Sequence, residues 1–248
     1  MIVLGFDTAT AATAVALRLA DGTTTQARDD PEAGSHPGHA TRLLEMAREL
    51  LEAGGIGWSD VDRLAVGVGP GTFTGLRVGV ATARGLAQSL SLELVGISSP
   101  EALAFAALAA HPAEAGAPDA VLAVIDARRG EAFAAAYEPG ADGAPRELVP
   151  ASAVAPAQLA SVLAGAEQAA GAQRGWLAVG DGAVRFREQL EAAGAFTPPD
   201  SSPLHRVSAA AICELGASAA AARPHELVPD YRRRPDAELA LTGGGKSS

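Results

Sequence analysis

The stretch from Leu64 to Gln88, LAVGVGPGTFTGLRVGVATARGLAQ, limits what this chain can fold into more than any other. Leu64 to Val68 is a short apolar run that reads as a buried strand. Gly69-Pro70-Gly71 follows, a turn that no regular element crosses. Thr72 is placed to cap what comes next, and from Thr74 to Gln88 the pattern is helical. One face of that helix is almost bare, because Gly75, Gly79, Ala83 and Ala87 fall at four-residue steps. A glycine inside a helix costs roughly 1 kcal/mol relative to alanine, so something should offset it. Small residues at this spacing let another backbone approach closely. The element therefore offers an anion cradle at its loop and helix N-terminus, and a flat face for a partner helix. The alternative is a strand–helix turn whose small face is buried in its own domain. No Gly-Lys-Ser/Thr follows Gly71, so the loop is not a Walker A motif.

The 248 residues suffice for one large domain or two smaller ones, and 48% of them are apolar. Aromatic residues make up only 4%, so the core must be built from Ala, Val and Leu. A formal net charge of −10 argues against the chain holding nucleic acid alone, since phosphate contacts need a clustered positive surface. Cys213 is the single cysteine, which rules out an internal disulfide and fits a reducing compartment. No basic n-region precedes the first strand, and the longest apolar run, between Glu101 and His111, is too short to span a bilayer. The expectation is a soluble, cytoplasmic protein with no membrane contact.

Taken in order, Ile2 to Asp7 is a strand, Thr13 to Leu19 a second, and Asp21-Gly22 a hairpin turn into a third at Thr23 to Ala27. A helix is expected from His39 to Ala53, with Leu43, Leu44, Ala47, Leu50 and Leu51 as a wide apolar stripe. After the central strand and helix, Leu92 to Ile97 is a strand, and Ser99-Pro100 opens another helix. His111 to Pro118 reads as a linker, and then the grammar repeats. Val121 to Asp126, Glu131 to Tyr137 and a run near Arg146 to Val149 are strands, and a helix starts near Pro156. Trp176 to Gly180 is a strand, Asp181-Gly182 a turn and Val184 to Ala193 a helix. Both halves thus read strand–Asp–turn–strand–turn–strand–helix–strand–Gly turn–helix, an architectural duplication. It predicts an α/β, two-lobed, actin/Hsp70-like (RNase H-like) fold with a mixed sheet flanked by helices in each lobe. The expected parts are residues 1–99, a smaller lobe at 100–206, and 207–248 as a helix packing back on the first lobe plus a tail.

In this fold nucleotide phosphates sit between the two hairpins, with an acid at each strand end managing metal or water. Asp7 and Asp126 occupy those mirrored places; alternatively, each caps its own turn. The candidate anion or nucleotide set is Asp7, Thr8, Thr10, Gly69, Gly71, Thr72, Asp126 and Arg128. Against it, the turn Thr8-Ala9-Thr10-Ala11 lacks the glycine that would bring amides close to a phosphate. No metal site is expected. His36 and His39 are three apart with Pro37-Gly38 between them, whereas a helical metal pair is four apart, so His39 is expected as an exposed or partner-facing residue. No Gly-x-Ser-x-Gly surround is present, so peptidase chemistry finds no support. Gly243 to Ser247 imitates the end of a P-loop but has Ala240 where the first glycine belongs. Arg232-Arg233-Arg234 is the one cationic run, either a solvated tail or a contact to tRNA or an acidic partner.

IVLGFDTAT, HATRLLEMARELL, VGVGPGTFTGLRVGVATARGLA, LVGISSPEAL, DARRGEAFAAAY, VGDG and the P-x-Y-x-R of Pro229 to Arg233 together resemble the TsaB (YeaZ) family. Thr72 stands where the family usually has serine. The resemblance implies a non-catalytic partner that binds and activates TsaD for N6-threonylcarbamoyladenosine (t6A37) modification of tRNA. It implies TsaE, an ATPase, as a further partner, a homodimer when alone, and contact with tRNA only through the complex. No cofactor is required, and ATP with Mg enters only in the complex with partners. The family's partner surface maps to the two first-lobe helices, here His39, Leu43, Leu44, Ala47, Leu50, Leu51, Gly75, Arg77, Gly79 and Ala83. On that mapping Gly79→Leu or Ala83→Arg would abolish pairing and leave the monomer folded. The competing reading is a small nucleotide-dependent phosphotransferase or ATPase of the same fold.

Overall fold

The apolar run Val3–Asp7, entirely buried, forms the central strand β1 of a five-stranded sheet. The computed structural model describes residues 1–31, 37–110, 119–141 and 143–232. Strands β2 (Thr13–Arg18) and β3 (Thr24–Asp29) return antiparallel from β1, as the hairpin turns require. Strand β4 (Arg63–Gly69) lies parallel to β1 on its other side, and β5 (Glu93–Ser98) parallel to β4. The order is therefore β3-β2-β1-β4-β5. Helices α1 (His39–Ala53) and α2 (Phe73–Leu90) cover one face of this sheet.

The second sheet repeats the plan in the order β8-β7-β6-β9. Its strands are β6 (Ala120–Arg128), β7 (Glu131–Pro139), β8 (Pro145–Val154) and β9 (Trp176–Val179). The hairpin strands β6, β7 and β8 are antiparallel and β9 is parallel to β6, as in the first lobe. A fifth strand is reduced to one parallel bridge, Leu177 to Phe196. Helix α4 (Leu159–Ala170) packs on the outer face with Leu163 and Ala166 turned inward. The stretch expected as one helix from Val184 is two short ones, α5 (Asp181–Arg185) and α6 (Arg187–Ala192), broken at Phe186. Helix α5 begins at Asp181 because Gly180, at φ +105°, turns the chain directly out of β9.

Two helices lie between the sheets. Helix α3 (Ser99–Ala110) faces the second sheet, and α7 (Ala209–Ser218) faces the first. Both are alanine-rich, and one apolar core runs from Val3 and Val95 through Leu103 and Ile212 to Ile125 and Phe133. Alanine here is structural: small side chains let two helices fit side by side between sheets. Cys213 is buried against Gly5 of β1, and burial pushes its thiol up to about 12, so it is a packing residue. Ser208 caps α7 by accepting from the Ala211 amide at 3.3 Å. No helix among the described residues is long and apolar enough to cross a membrane. The expected linker at His111 to Pro118, the residues Arg233 and Arg234, and the P-loop-like tail lie outside the described residues.

Arg63 ties α7 to the first sheet. Its Nη1 donates to the carbonyls of Gly216 (2.7 Å), Ala217 (3.2 Å) and Ala219 (2.9 Å), and its Nε donates to Glu93 at 2.8 Å. These carbonyls lie at or just beyond the C-terminal end of α7, where intrahelical partners run out. We predict that Arg63→Ala lowers stability by about 2–3 kcal/mol in urea unfolding. Arg63→Lys should recover little of it, since an ammonium cannot serve the carbonyls and the carboxylate together.

Candidate functional site

The bare face of α2 is filled by the chain's own first turn. Gly75 and Gly79 are buried, and a methyl group on either would overlap Thr8, its carbonyl at Gly75 and its hydroxyl at Gly79. Thr8 is fully buried, and its hydroxyl donates to the Gly75 carbonyl at 2.7 Å. Gly71 likewise leaves room for Ala9, whose carbonyl accepts from the Thr72 amide at 2.7 Å. Thr72 is the N-cap residue but makes no side-chain cap bond. The Ala9 carbonyl oxygen thus takes the Thr72 amide at the start of α2, where the sequence suggested an anion cradle.

Asp7 belongs to the same seat. It is 1% exposed, accepting from the Ala9 amide at 2.9 Å and from the Ser99 hydroxyl at 2.7 Å. Burial raises its carboxyl above the usual carboxylate range, and the Ser99 and Ala9 hydrogen bonds oppose that rise. Ser99 is the first residue of α3, and its hydroxyl serves Asp7. Of the candidate anion set, Asp7, Thr8, Gly69, Gly71 and Thr72 therefore form an internal joint between β1 and the β4–α2 turn. Asp7 caps its own turn.

Asp126 and Arg128 come together in the second lobe. The Asp126 carboxylate accepts Arg185 Nη1 with both oxygens, at 2.8 and 2.9 Å, and its Oδ1 accepts the Arg128 amide at 2.9 Å. The Asp181 carboxylate accepts the Asp126 amide at 2.9 Å, and burial raises its carboxyl. Arg185 escaped the sequence reading, which placed Asp181 in a turn without a role at the site. Thr10 reaches a different environment. With Arg28, Asp181, His205 and Arg206 it lines a cavity of about 280 Å³ between the lobes. His205 is buried there, with its ring nitrogens 3.1 Å from the Gly180 and Pro198 carbonyls. Among the described residues no group of His, Cys, Asp and Glu is arranged to hold a metal ion, and His36 lies outside them.

The expected partner surface divides. His39, Leu43, Ala47, Leu51, Gly75, Gly79 and Ala83 are buried in the first lobe and cannot meet another subunit directly. They are the inner stripes of α1 and α2, and the sheet and the first turn consume them. His39 is 3% exposed, not a surface residue, with Nδ1 at 2.9 Å from the Thr13 hydroxyl; burial lowers its ring's proton affinity. Leu44 is 45% exposed, Leu50 is half-buried and Arg77 is exposed. The sequence reading missed what surrounds Arg77. Its guanidinium carbon lies 3.8 Å above the Phe73 ring, and its Nε donates to the Tyr231 hydroxyl at 3.1 Å. Tyr231 packs on Phe73 at 5.1 Å between ring centroids, held there by the Asp230 amide donating to the Val68 carbonyl at 2.8 Å.

Residues 30–245 match the family model described as TsaD, tRNA N6-adenosine threonylcarbamoyltransferase. The chain is 38% identical over 148 residues to the tRNA threonylcarbamoyladenosine biosynthesis protein TsaB of Escherichia coli, a match covering 58% of each. The match to TsaB of Haemophilus influenzae spans 38% of that protein. An uncharacterized protein of Mycobacterium tuberculosis is 30% identical over 95% of this chain and 93% of its own length. Among solved structures, a Pseudomonas aeruginosa protein described as similar to peptidase YeaZ superposes with a TM-score of 0.75 at 28% identity. That superposition covers 94% of this chain and 99% of the other.

Two outcomes follow from the packing of the first turn. Gly79→Leu and Ala83→Arg should both fail to give a folded monomer, and even Gly79→Ala should cost about 1–3 kcal/mol, read as a lowered thermal midpoint. Asp7→Asn tests the buried carboxyl. Because burial raises its pKa in the fold, Asp7 contributes most below the unfolded value, and that contribution is lost as pH rises through the folded one. The asparagine variant escapes this loss, so its stability relative to wild type should improve as pH rises from about 4, the ordinary carboxylate value, in urea melts.

Proposed function

The chain belongs to the TsaB (YeaZ) family, and on that premise we propose that it is a non-catalytic partner in the biosynthesis of threonylcarbamoyladenosine in tRNA. In this reading it binds and activates TsaD for t6A37 formation, TsaE completes the assembly, and tRNA is met through the complex. Alone, it pairs with a second copy of itself. It works in the cytoplasm, requires no cofactor of its own, and meets ATP and Mg only with its partners. The names of the E. coli and H. influenzae relatives support the pathway. The observation that carries the accessory role is the occupied mouth of α2. A free helix N-terminus presents its amides to an anion, whereas here the Thr72 amide already donates to the Ala9 carbonyl of the first turn. The Asp7 carboxylate beside it is enclosed by Ala9 and Ser99 and does not face solvent.

The outer sides of α1 and α2 are the proposed partner surface, with Leu44, Leu50 and Arg77 as the members of the expected set that reach it. One observation favours the competing reading, a phosphotransferase or ATPase: the cavity between Thr10 and Asp181 is open to a small molecule.

Reconstitution separates the two readings. With tRNA, threonylcarbamoyl-adenylate, TsaD and TsaE supplied, adding this chain should raise modified adenosine at least about tenfold, the order of a strong allosteric coupling. Calorimetry of the isolated chain with Mg-ATP should show no micromolar binding. Tight binding with turnover, together with no effect on modification, would establish the enzyme reading instead.

A further inference from the structure

The outer face of α2 carries two arginines without acidic partners. Arg77 and Arg84 are seven residues apart, about two helical turns or about 10 Å along the axis, and point to the same side. Among the described residues, Arg77 makes one hydrogen bond, from Nε to Tyr231, and stacks on Phe73; neither terminal nitrogen has a carboxylate. Arg84 makes no hydrogen bond, ion pair or ring contact with any described residue. This is unusual for the molecule. Its net charge is −10, and Arg18, Arg63, Arg146, Arg174, Arg185 and Arg187 each sit on a carboxylate.

We propose that this face recognises an acidic surface of a partner protein, with one carboxylate for Arg77 and one for Arg84. The inference rests on the reading of α1 and α2 as the subunit face and adds the chemistry that the partner must present. Stacking on Phe73 and the Tyr231 hydrogen bond hold the Arg77 guanidinium in place, so its outer fork is ready for bidentate binding at little entropic cost. Beside the two arginines the surface is low: Ala81, between them, and Gly85, next to Arg84, are exposed, and a Cβ built on Gly85 meets nothing within 4 Å. A helix backbone can therefore settle between the charges. A phosphate chain gains nothing from that low surface, and two arginines on an acidic protein give too few phosphate contacts to hold nucleic acid. Of the exposed acids of neighbouring α1, Glu45 and Glu52 are engaged by Arg42 and Arg48 on their own helix, and Glu49 forms no ion pair with Arg77 or Arg84.

The test measures binding of the full chain to TsaD from the same organism at about 50 mM and about 500 mM salt, which spans strong and weak screening. Wild type should lose at least about tenfold in affinity between the two. Arg77→Gln/Arg84→Gln should bind at least about tenfold more weakly at low salt and lose its salt dependence. Arg84→Gln alone, which breaks no hydrogen bond or ion pair among the described residues, should fall between them with an unchanged melting temperature. A double variant that binds as wild type at both salts overturns the inference and leaves the accessory reading intact. A variant that weakens only self-association, or that abolishes a tRNA gel shift by the isolated chain, overturns it by naming another occupant. If wild type itself does not bind TsaD, the underlying reading falls and takes the inference with it.

Discussion

The seating of the first turn in the groove of α2 is the contact on which the rest of this structure depends. Thr8 and Ala9 occupy space that only glycine at 71, 75 and 79 leaves open. In return, the joint satisfies groups that would otherwise be stranded: the Thr72 amide, the buried Thr8 hydroxyl and the buried Asp7 carboxylate. Two glycines weaken a helix by roughly 1 kcal/mol each, and this packing offsets the cost. Ser99 extends the joint to α3, so the turn, the central helix and the interlobe helix are fixed by one set of hydrogen bonds.

The second lobe uses related means with different residues. Gly180 and Gly182 bring the start of α5 against Val124 and Ile125 at the end of β6. Asp181 then reaches the Asp126 amide, and Arg185 clamps the Asp126 carboxylate. A buried carboxyl in each lobe thus holds its own strand end. That arrangement engages both strand-end acids within their own lobes, which supports the proposed accessory role. The cavity beside Thr10 is lined by both arginine and aspartate, which largely offset each other.

With its inner faces consumed, the first lobe offers a partner only what remains outside. That surface is small and mixed: Leu44 and Leu50 from α1, and Arg77, Ala81, Arg84 and Gly85 from α2. The chain near its described C-terminal end shapes it as well. Leu227 lies over Gly96, the Asp230 amide is held by Val68, and Tyr231 fixes Arg77. Aromatic and arginine side chains held in place are the kind that dominate binding energy at protein interfaces.

Much of this was legible in the residues. Alternation, hairpin turns and acids at strand ends gave the repeated strand order, because those are local properties of neighbouring residues. The helix His39–Ala53 appears with the bounds that its apolar spacing marks. The small stripe of α2 was equally visible, but which body fills it was not. A stripe of Gly and Ala announces close approach and carries no label for its partner, and here the partner is a turn some 70 residues earlier in the chain, at Thr8. The same limit hid Arg185 on Asp126 and Tyr231 on Arg77, pairs 59 and 154 residues apart. Sequence by itself determined the elements, their order and the family, since these follow from local pattern. Only the tertiary structure decided which faces are spent inside the molecule and which arginines remain unpaired, because burial and charge pairing belong to the packed whole.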